Sequence, residues 1–170
     1  MGYTTKLVAQ LMRDLGSIPA PQNSFLLNLG LQTLHLRVAQ HCKNAQRVAE
    51  FLHDNPKVAW VHYSGLPDDP NYAKAQKYLP NGSCGVIAFG LKGDRETAIK
   101  WMDSLQMINI ATHVADSRSC VLHPASHTHR QLSDEQLREA GIAPDLIRLS
   151  VGIEDVEDIL DDIKQALAKI

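Results

Sequence analysis

An arginine stands in the middle of an apolar segment, residues 146–151, whose composition predicts a β-strand. A lone guanidinium is costly to bury unless an acidic group pairs with it. One interpretation places Arg148 on a solvent-facing side of the strand, or pairs it with an acidic side chain such as Asp155. The other uses its planar fork to hold a substrate carboxylate through two parallel hydrogen bonds. The spacing alone leaves both interpretations open.

Three histidines, His123, His127 and His129, lie close together in the sequence and raise the hypothesis of a metal site, because imidazole is a common metal ligand. Their spacing gives it little support, since the first two share a face only in a helix and the last two only in a strand. No carboxylate or cysteine completes a recognised signature. The segment is more typical of a hydrogen-bonded loop, and we predict no metal.

Cys120 lies three residues before His123 and could act as a nucleophile with that histidine as its base. Such a cysteine needs a base within hydrogen-bond reach and a lowered pKa, and the sequence indicates neither. We therefore expect a small buried thiol. The chain also has no Gly-rich phosphate loop, no Walker lysine and no G-x-S-x-G string.

The elements that must position these residues follow from apolar periodicity. A helix over 5–15 and a Pro-rich turn precede a long helix over about 25–52, which Asn23 or Ser24 could cap. The remaining predicted strands are 58–63, 84–90, 108–114, 119–122 and 146–151, and the remaining helices are 71–78, 95–105, 133–141 and 155–170. This order predicts an α/β or α+β fold, in which helices cover one sheet.

The bulk composition excludes several classes of protein. A formal net charge of -2 gives no electrostatic attraction for nucleic acid, and no apolar run reaches the ~20 residues that span a bilayer. The N-terminus lacks the apolar core of a signal peptide. The three cysteines are widely spaced and odd in number, which favours a reducing cytoplasm over a disulfide framework.

Taken together, these segments resemble the C-terminal region of the Cys/Met-metabolism family of pyridoxal-phosphate (PLP) enzymes, and most closely its O-acetylhomoserine sulfhydrylase branch. The resemblance runs along essentially the whole chain. It is carried by the strings RDLG (13–16), PQNSFLL (21–27), GLQTL (30–34), LR (36–37), VAEFL (48–52), WVHYSGL (60–66), KYLPNG (77–82), FGLKG (89–93), HPAS (123–126), TH (128–129) and RLSVGIE (148–154).

The resemblance implies the small C-terminal domain of a fold-type I PLP enzyme, with one mainly antiparallel sheet covered by helices and preceded by a long helix. Residues 1–22 would be a remnant of the PLP-binding large domain, and 23–170 the substrate-side domain. The family's cofactor lysine would lie upstream. Lys6, which follows Thr4 and Thr5, comes closest to the Ser-x-Thr-Lys cofactor string, but its segment matches sequence downstream of that lysine. We therefore expect no cofactor-binding and no catalytic residue here.

Two substrate contacts are implied by the resemblance. Arg148 matches the family arginine that binds the α-carboxylate of the amino acid, and Ser119 matches a position whose backbone helps to orient that carboxylate. In the full-length enzyme, PLP would support replacement of the acetate of O-acetylhomoserine by sulfide or a thiol, giving homocysteine or methionine. Full-length relatives are usually homotetramers, and the isolated fragment is expected to be inactive and to bind no PLP.

Two alternatives stay open at this stage. The chain could belong to another enzyme of the same family, such as a cystathionine γ-synthase, a cystathionine γ-lyase or a methionine γ-lyase. It could also be a standalone amino-acid-binding domain that keeps the carboxylate site without catalysis.

Overall fold

A computed structural model of the chain describes residues 2–170. The chain forms two compact units, one that ends at His35 and one that runs from Leu36 to Ile170. The predicted domain boundary at residue 22 concerns membership of a larger protein, which this division does not test. It stays a prediction.

The described residues of the first unit form helices separated by a non-helical stretch over 16–20. Its elements are α1 (Gly2–Lys6), a π-helical segment (Leu7–Met12), α2 (Arg13–Leu15) and α3 (Pro21–Gln32), followed by the start of α4 (Leu34–His53). The first helical stretch ends at Gly16, whose φ of 66° is the left-handed conformation that glycine adopts at low cost. Helix α3 begins at Pro21 rather than at a cap on Asn23 or Ser24, because proline has the helical φ built in and lacks the N–H that the first turn leaves unbonded.

The long helix predicted over 25–52 is broken at Thr33. This residue has φ -110° and ψ 5°, which ends α3 before α4 begins at Leu34. Gly30 and Thr33 both have low helix propensity, which favours a break in the helix here. The apolar periodicity continues across the break, although the helical backbone conformation does not.

The second unit holds the sheet. Its elements after α4 are β1 (Val58–His62), α5 (Tyr72–Tyr78), β2 (Val86–Leu91), α6 (Arg95–Asp103), β3 (Asn109–Ile110), β4 (Cys120–Leu122), α7 (Asp134–Glu139), β5 (Leu146–Ser150) and α8 (Val156–Leu167). The strand order is β1-β2-β5-β4-β3. All pairings are antiparallel except β3 with β4. The predicted fold class is confirmed.

Strand β5 is the middle strand, paired on one side with β2 and on the other with β4. Ile147 and Leu149 point to one face of the sheet and are fully buried. That face carries the core, which also contains apolar side chains of α4, α6 and α8. Because side chains alternate along a strand, Arg148 points to the opposite face, beside Ala88 and Leu122 in the register.

The strand predicted over 108–114 is reduced to Asn109–Ile110. Beyond it, Ala115 has a φ of 59°, which no strand residue adopts, and the backbone N–H of Arg118 turns back to the Asp116 carboxylate at 3.0 Å. Residues 111–119 therefore form a loop, called the 111–119 loop below. No helix within residues 2–170 is long and apolar enough to cross a membrane.

Candidate functional site

The Arg148 guanidinium reaches from the middle of β5 to the 111–119 loop. Its Nη2 donates a hydrogen bond of 2.8 Å to the carbonyl oxygen of Thr112 and a longer one of 3.4 Å to that of His113. The side chain is partly exposed rather than enclosed. The strand fixes the base of the arginine, and two loop carbonyls fix the orientation of its planar end.

The Nε atom of Arg148 is buried and has no hydrogen-bond partner among residues 2–170. Within the same residues, no carboxylate lies within ion-pair distance of the guanidinium, and Asp155 instead accepts a hydrogen bond from the backbone N–H of Glu157 at 2.9 Å. The structural ion pair with Asp155 is therefore wrong. A guanidinium with an unpaired donor and no fixed counter-charge has the chemistry of a carboxylate-binding group.

The 111–119 loop is organised around Asp116, which contacts side chains on both sides of it. The distances are 3.4 Å from its Oδ2 to Nδ1 of His113 and 3.5 Å from its Oδ1 to Nε of Arg118. Hydrogen bonds from Arg118 lower the pKa of the Asp116 carboxyl. A second fixed point is the backbone N–H of Ala115, which donates to Oγ of Ser150 at 3.1 Å.

Ser119 lies at the end of this loop and is fully buried. Its backbone N–H donates to Oε1 of Glu154 at 2.6 Å, and its hydroxyl donates to Oε2 of the same carboxylate at 3.1 Å. The hydroxyl oxygen also accepts the backbone N–H of Gly152 at 2.9 Å. Its carbonyl accepts the backbone N–H of Asn109 at 3.2 Å. Ser119 is thus bonded within the protein at every backbone group.

Helix α4 holds the segment that follows β5. Nδ1 of His41 lies 2.7 Å from the carbonyl oxygen of Val151, so that nitrogen carries the proton and donates. The Asn44 amide donates to the carbonyl oxygens of Gly152 and Glu154 at 3.1 and 2.8 Å. Both side chains are buried. These three bonds fix the backbone that carries Glu154.

The three histidines of 123–129 are bonded separately. Nε2 of His123 lies 2.9 Å from the Pro144 carbonyl and its Nδ1 lies 2.7 Å from Oγ of Ser126, so Nε2 donates and Nδ1 accepts. His127 bonds to the His123 carbonyl, and His129 bonds to Thr128. No group of three or more potential ligands that could hold a metal lies within residues 2–170.

Cys120 is buried, and its thiol lies 3.5 Å from the Arg118 carbonyl oxygen. Burial raises the pKa of the Cys120 thiol, and the nearby Asp116 carboxylate raises it further. Both nitrogens of His123 are bonded elsewhere, so that ring is not available as a base. The geometry supports a buried thiol and not a nucleophile.

The resemblance singled out Arg148 and Ser119, whose contacts with a substrate carboxylate stay predictions, and sequence reasoning missed the groups that surround them. Thr112 and His113 contribute carbonyl oxygens, which no side-chain motif reveals. Asn44 gave a usable signal, because it is a polar residue on the apolar side of a helix. Glu154 stood inside a recognised string without an assigned role.

Known proteins of one enzyme family match this chain along nearly its whole length. The profile of the Cys/Met metabolism PLP-dependent enzyme family matches residues 3–168. An O-acetyl-L-homoserine sulfhydrylase of Leptospira meyeri is 42% identical over 171 residues, covering 100% of this chain and 39% of that protein. O-acetyl-L-homoserine sulfhydrylase 1 of Thermus thermophilus is 40% identical, with 99% of this chain and 40% of that protein covered.

Solved structures agree in fold. An O-acetylhomoserine (thiol)-lyase from Campylobacter jejuni, which contains a pyridoxyl-lysine phosphate, superposes with a TM-score of 0.90 at 40% identity, covering 98% of this chain and 39% of that one. The O-acetylhomoserine sulfhydrylase of Wolinella succinogenes superposes with a TM-score of 0.83 at 35% identity, covering 98% of this chain and 44% of that one. The chain spans about two fifths of the length of the curated relatives it matches.

Proposed function

Because this chain belongs to the Cys/Met-metabolism family of PLP-dependent enzymes, we propose that it is the C-terminal, substrate-side part of an O-acetylhomoserine sulfhydrylase. In the full-length enzyme, sulfide or a thiol replaces the acetate of O-acetylhomoserine, giving homocysteine or methionine. Residues 1–22 belong to the PLP-binding domain in this proposal, and residues 23–170 form the smaller domain.

The observation that carries the proposal is the geometry of Arg148. Its Nη2 is oriented by the Thr112 carbonyl, while its buried Nε has no partner within the described chain. A carboxylate that bound the partly exposed guanidinium would form charge-assisted hydrogen bonds without displacing a protein acidic group. Arg148 would then hold the amino-acid substrate in one orientation throughout the reaction.

Ser119 contributes to the same site through its bonds to other protein groups. Because its backbone and hydroxyl groups are bonded to Glu154, Gly152 and Asn109, its contribution is to fix the end of the 111–119 loop. The α-carboxylate then contacts the arginine and the loop.

PLP, when bound, withdraws electrons from the substrate α-carbon. The described residues do not fit the cofactor itself. The buried side-chain nitrogens and oxygens without partners among residues 2–170 are Nε1 of Trp101 and Nε of Arg148, and one arginine cannot hold a phosphate, a ring nitrogen and an aldehyde together. We therefore propose that other parts of the full-length protein hold PLP, that residues 1–170 alone are inactive, and that the enzyme is a cytoplasmic homotetramer.

The test is a substrate comparison on the full-length enzyme. Sulfide-dependent consumption of O-acetyl-L-homoserine, with homocysteine as product, is the expected result. O-succinyl-L-homoserine with cysteine, L-cystathionine and L-methionine serve as the alternative substrates of other family branches. Preference for one of those three would contradict the proposed branch while leaving the family assignment intact.

A second measurement separates the enzyme from a standalone binding domain. If the natural protein consists of residues 1–170 alone and binds O-acetyl-L-homoserine without turning it over, the enzymatic proposal is wrong. The mass of the protein in extracts of its source cells, measured with an antibody against this chain, gives the answer.

A further inference from the structure

We propose that Glu154 is a positioning residue, which sets the orientation of Arg148 without touching the substrate. The inference rests on the proposed function, in which Arg148 holds a carboxylate. Glu154 comes six residues after Arg148 in the chain, beyond the end of β5, and none of its hydrogen bonds is to the arginine.

The first step of the argument is the contact between Glu154 and the 111–119 loop. One carboxylate oxygen accepts the backbone N–H of Ser119, and the other accepts its hydroxyl. A hydrogen bond to an ionised carboxylate is stronger than one between neutral groups. Glu154 therefore fixes the C-terminal end of the loop at two points.

The second step is the closeness of the two backbones. The backbone N–H of Ile153 donates to the Ser117 carbonyl at 2.9 Å. A Cβ added to Gly152 would come within 2.6 Å of both the Ser117 carbonyl oxygen and the Ser119 nitrogen, closer than real Cβ contacts. The 152–154 segment and the loop are therefore in direct contact, and a displacement of one moves the other.

The third step leads back to Arg148. The same loop carries the Thr112 carbonyl, which accepts from Nη2 of the arginine. If the Glu154 carboxylate is lost, the end of the loop at Ser119 loses two of its hydrogen bonds and is held less tightly. The proposal is that this loosening extends past the Ala115–Ser150 bond to the Thr112 carbonyl, which orients the guanidinium. The anchor itself stays fixed, because Asn44 binds the Glu154 carbonyl and not its carboxylate.

The test compares Glu154→Gln with Glu157→Gln. Both changes remove one negative charge, but the Glu157 side chain is exposed and its contact is an ion pair of 3.5 Å with Arg47. The first readout is the ¹⁵N–¹H signal of Arg148 Nε in the 170-residue chain, assigned by its loss in Arg148→Lys. We expect Glu154→Gln to shift this signal and to speed its proton exchange and that of the Ser119 amide by about tenfold, the effect of losing one charge-assisted hydrogen bond. Glu157→Gln should leave both unchanged.

The second readout is kinetic and uses the full-length enzyme. A misoriented guanidinium weakens binding of the carboxylate, so Glu154→Gln should raise KM for O-acetyl-L-homoserine about tenfold and change kcat far less. A purely structural role would lower the amount of folded enzyme without this split. The NMR readout does not depend on the substrate, so failure of the proposed function on O-acetyl-L-homoserine leaves the positioning role decidable.

Faster exchange at Ser119 with an unchanged Arg148 Nε signal would overturn the proposal, because Glu154 would then hold the loop end alone. If Glu154→Gln does not fold, Ser119→Ala decides by the same signal. That variant removes the hydroxyl bonds to Glu154 and Gly152 and keeps the backbone bond.

Discussion

Asp162 on α8 accepts a hydrogen bond of 2.8 Å from the backbone N–H of Ile108, the residue that precedes β3. The same carboxylate accepts the backbone N–H groups of Gln106 and Met107 at 2.8 and 3.0 Å. One helix side chain thus binds the backbone of residues 106–108. This segment leads into the edge strand β3, which the 111–119 loop follows. Burial raises the pKa of Asp162, but the three backbone N–H donors and the Gln165 side chain together lower it more, so its pKa lies below the ordinary 3.8.

Asp162→Asn should destabilise the fold by about 1–3 kcal/mol, because the new amide offers one accepting oxygen to three backbone N–H groups and the Gln165 amide, so at least one N–H loses its partner. The measurement is urea unfolding at pH 7, with Asp161→Asn as the control. Asp161 is exposed and pairs only with Lys164 within its own helix, so its replacement should change the free energy of unfolding by a few tenths of a kcal/mol. Equal effects of the two variants would contradict the assignment.

The same residue gives an acid dependence. Because the folded pKa of Asp162 is lowered, its contribution to stability is present above about 3.8 and is lost as the pH falls through the folded pKa. The difference in unfolding free energy between wild type and Asp162→Asn should therefore shrink on acidification. A difference that stays constant down to the acid transition would show that the charge of Asp162 contributes nothing.

Burial lowers the pKa of His123 below the ordinary 6.5, and this effect exceeds the opposing one of the Pro144 carbonyl. In the unfolded chain His123 therefore takes up a proton near pH 6.5, whereas in the folded chain it does so only at a lower pH. Stability from this histidine is full above about 6.5 and falls as the pH drops below it, towards the folded pKa. Between pH 7.5 and pH 5, the free energy of unfolding should fall less in His123→Asn than in the wild type. An unchanged slope would mean that the pKa of His123 is the same in the folded and the unfolded chain.

Arg148→Lys should lower kcat/KM of the full-length enzyme for O-acetyl-L-homoserine by one to two decades. Lysine keeps the charge and loses the planar fork, and one charge-assisted hydrogen bond accounts for about 1.5–3 kcal/mol. Arg138→Lys, at an exposed position of α7, is the control. A variant with a lower melting temperature and wild-type kcat/KM per folded site would end the carboxylate assignment.

Ala115→Gly should be neutral or stabilising by up to about 1 kcal/mol. Ala115 has a φ of 59°, where alanine is strained and glycine is not, and this relief offsets the greater freedom that glycine gives the unfolded chain. Ala111→Gly, in the same loop but without a positive φ, should lose about 0.4–1 kcal/mol. Thermal unfolding of the two variants checks the loop conformation. An equal loss of stability in both would contradict the positive φ at Ala115.

Much of the fold could be predicted from local patterns, and the exceptions have physical reasons. Alternation along β5 places Arg148 opposite the core, although the sequence left both interpretations of this residue open, and the role that the resemblance implies for it stays a prediction. The break at Thr33 could not be predicted, since apolar periodicity persists across it. Residues 111–114 were predicted as the end of a strand over 108–114, whereas the structure ends that strand at Ile110 and places them in the 111–119 loop, where Ala115 has a positive φ. The contact between Glu154 and Ser119 joins positions 35 residues apart, and only the pairing of β4 with β5 brings them together.

The central position of β5 has a consequence for how this site can change over evolutionary time. Arg148 is attached to a strand held on both edges, while its acceptors lie on a surface loop between β3 and β4. Loops accept insertions and substitutions more readily than paired strands. If Arg148 holds the substrate carboxylate as proposed, new side chains at the tip of this loop, ahead of the Ser119 anchor, would alter which amino acids bind while the arginine stays in place. Under that proposal, substrate range and carboxylate recognition would be separable traits.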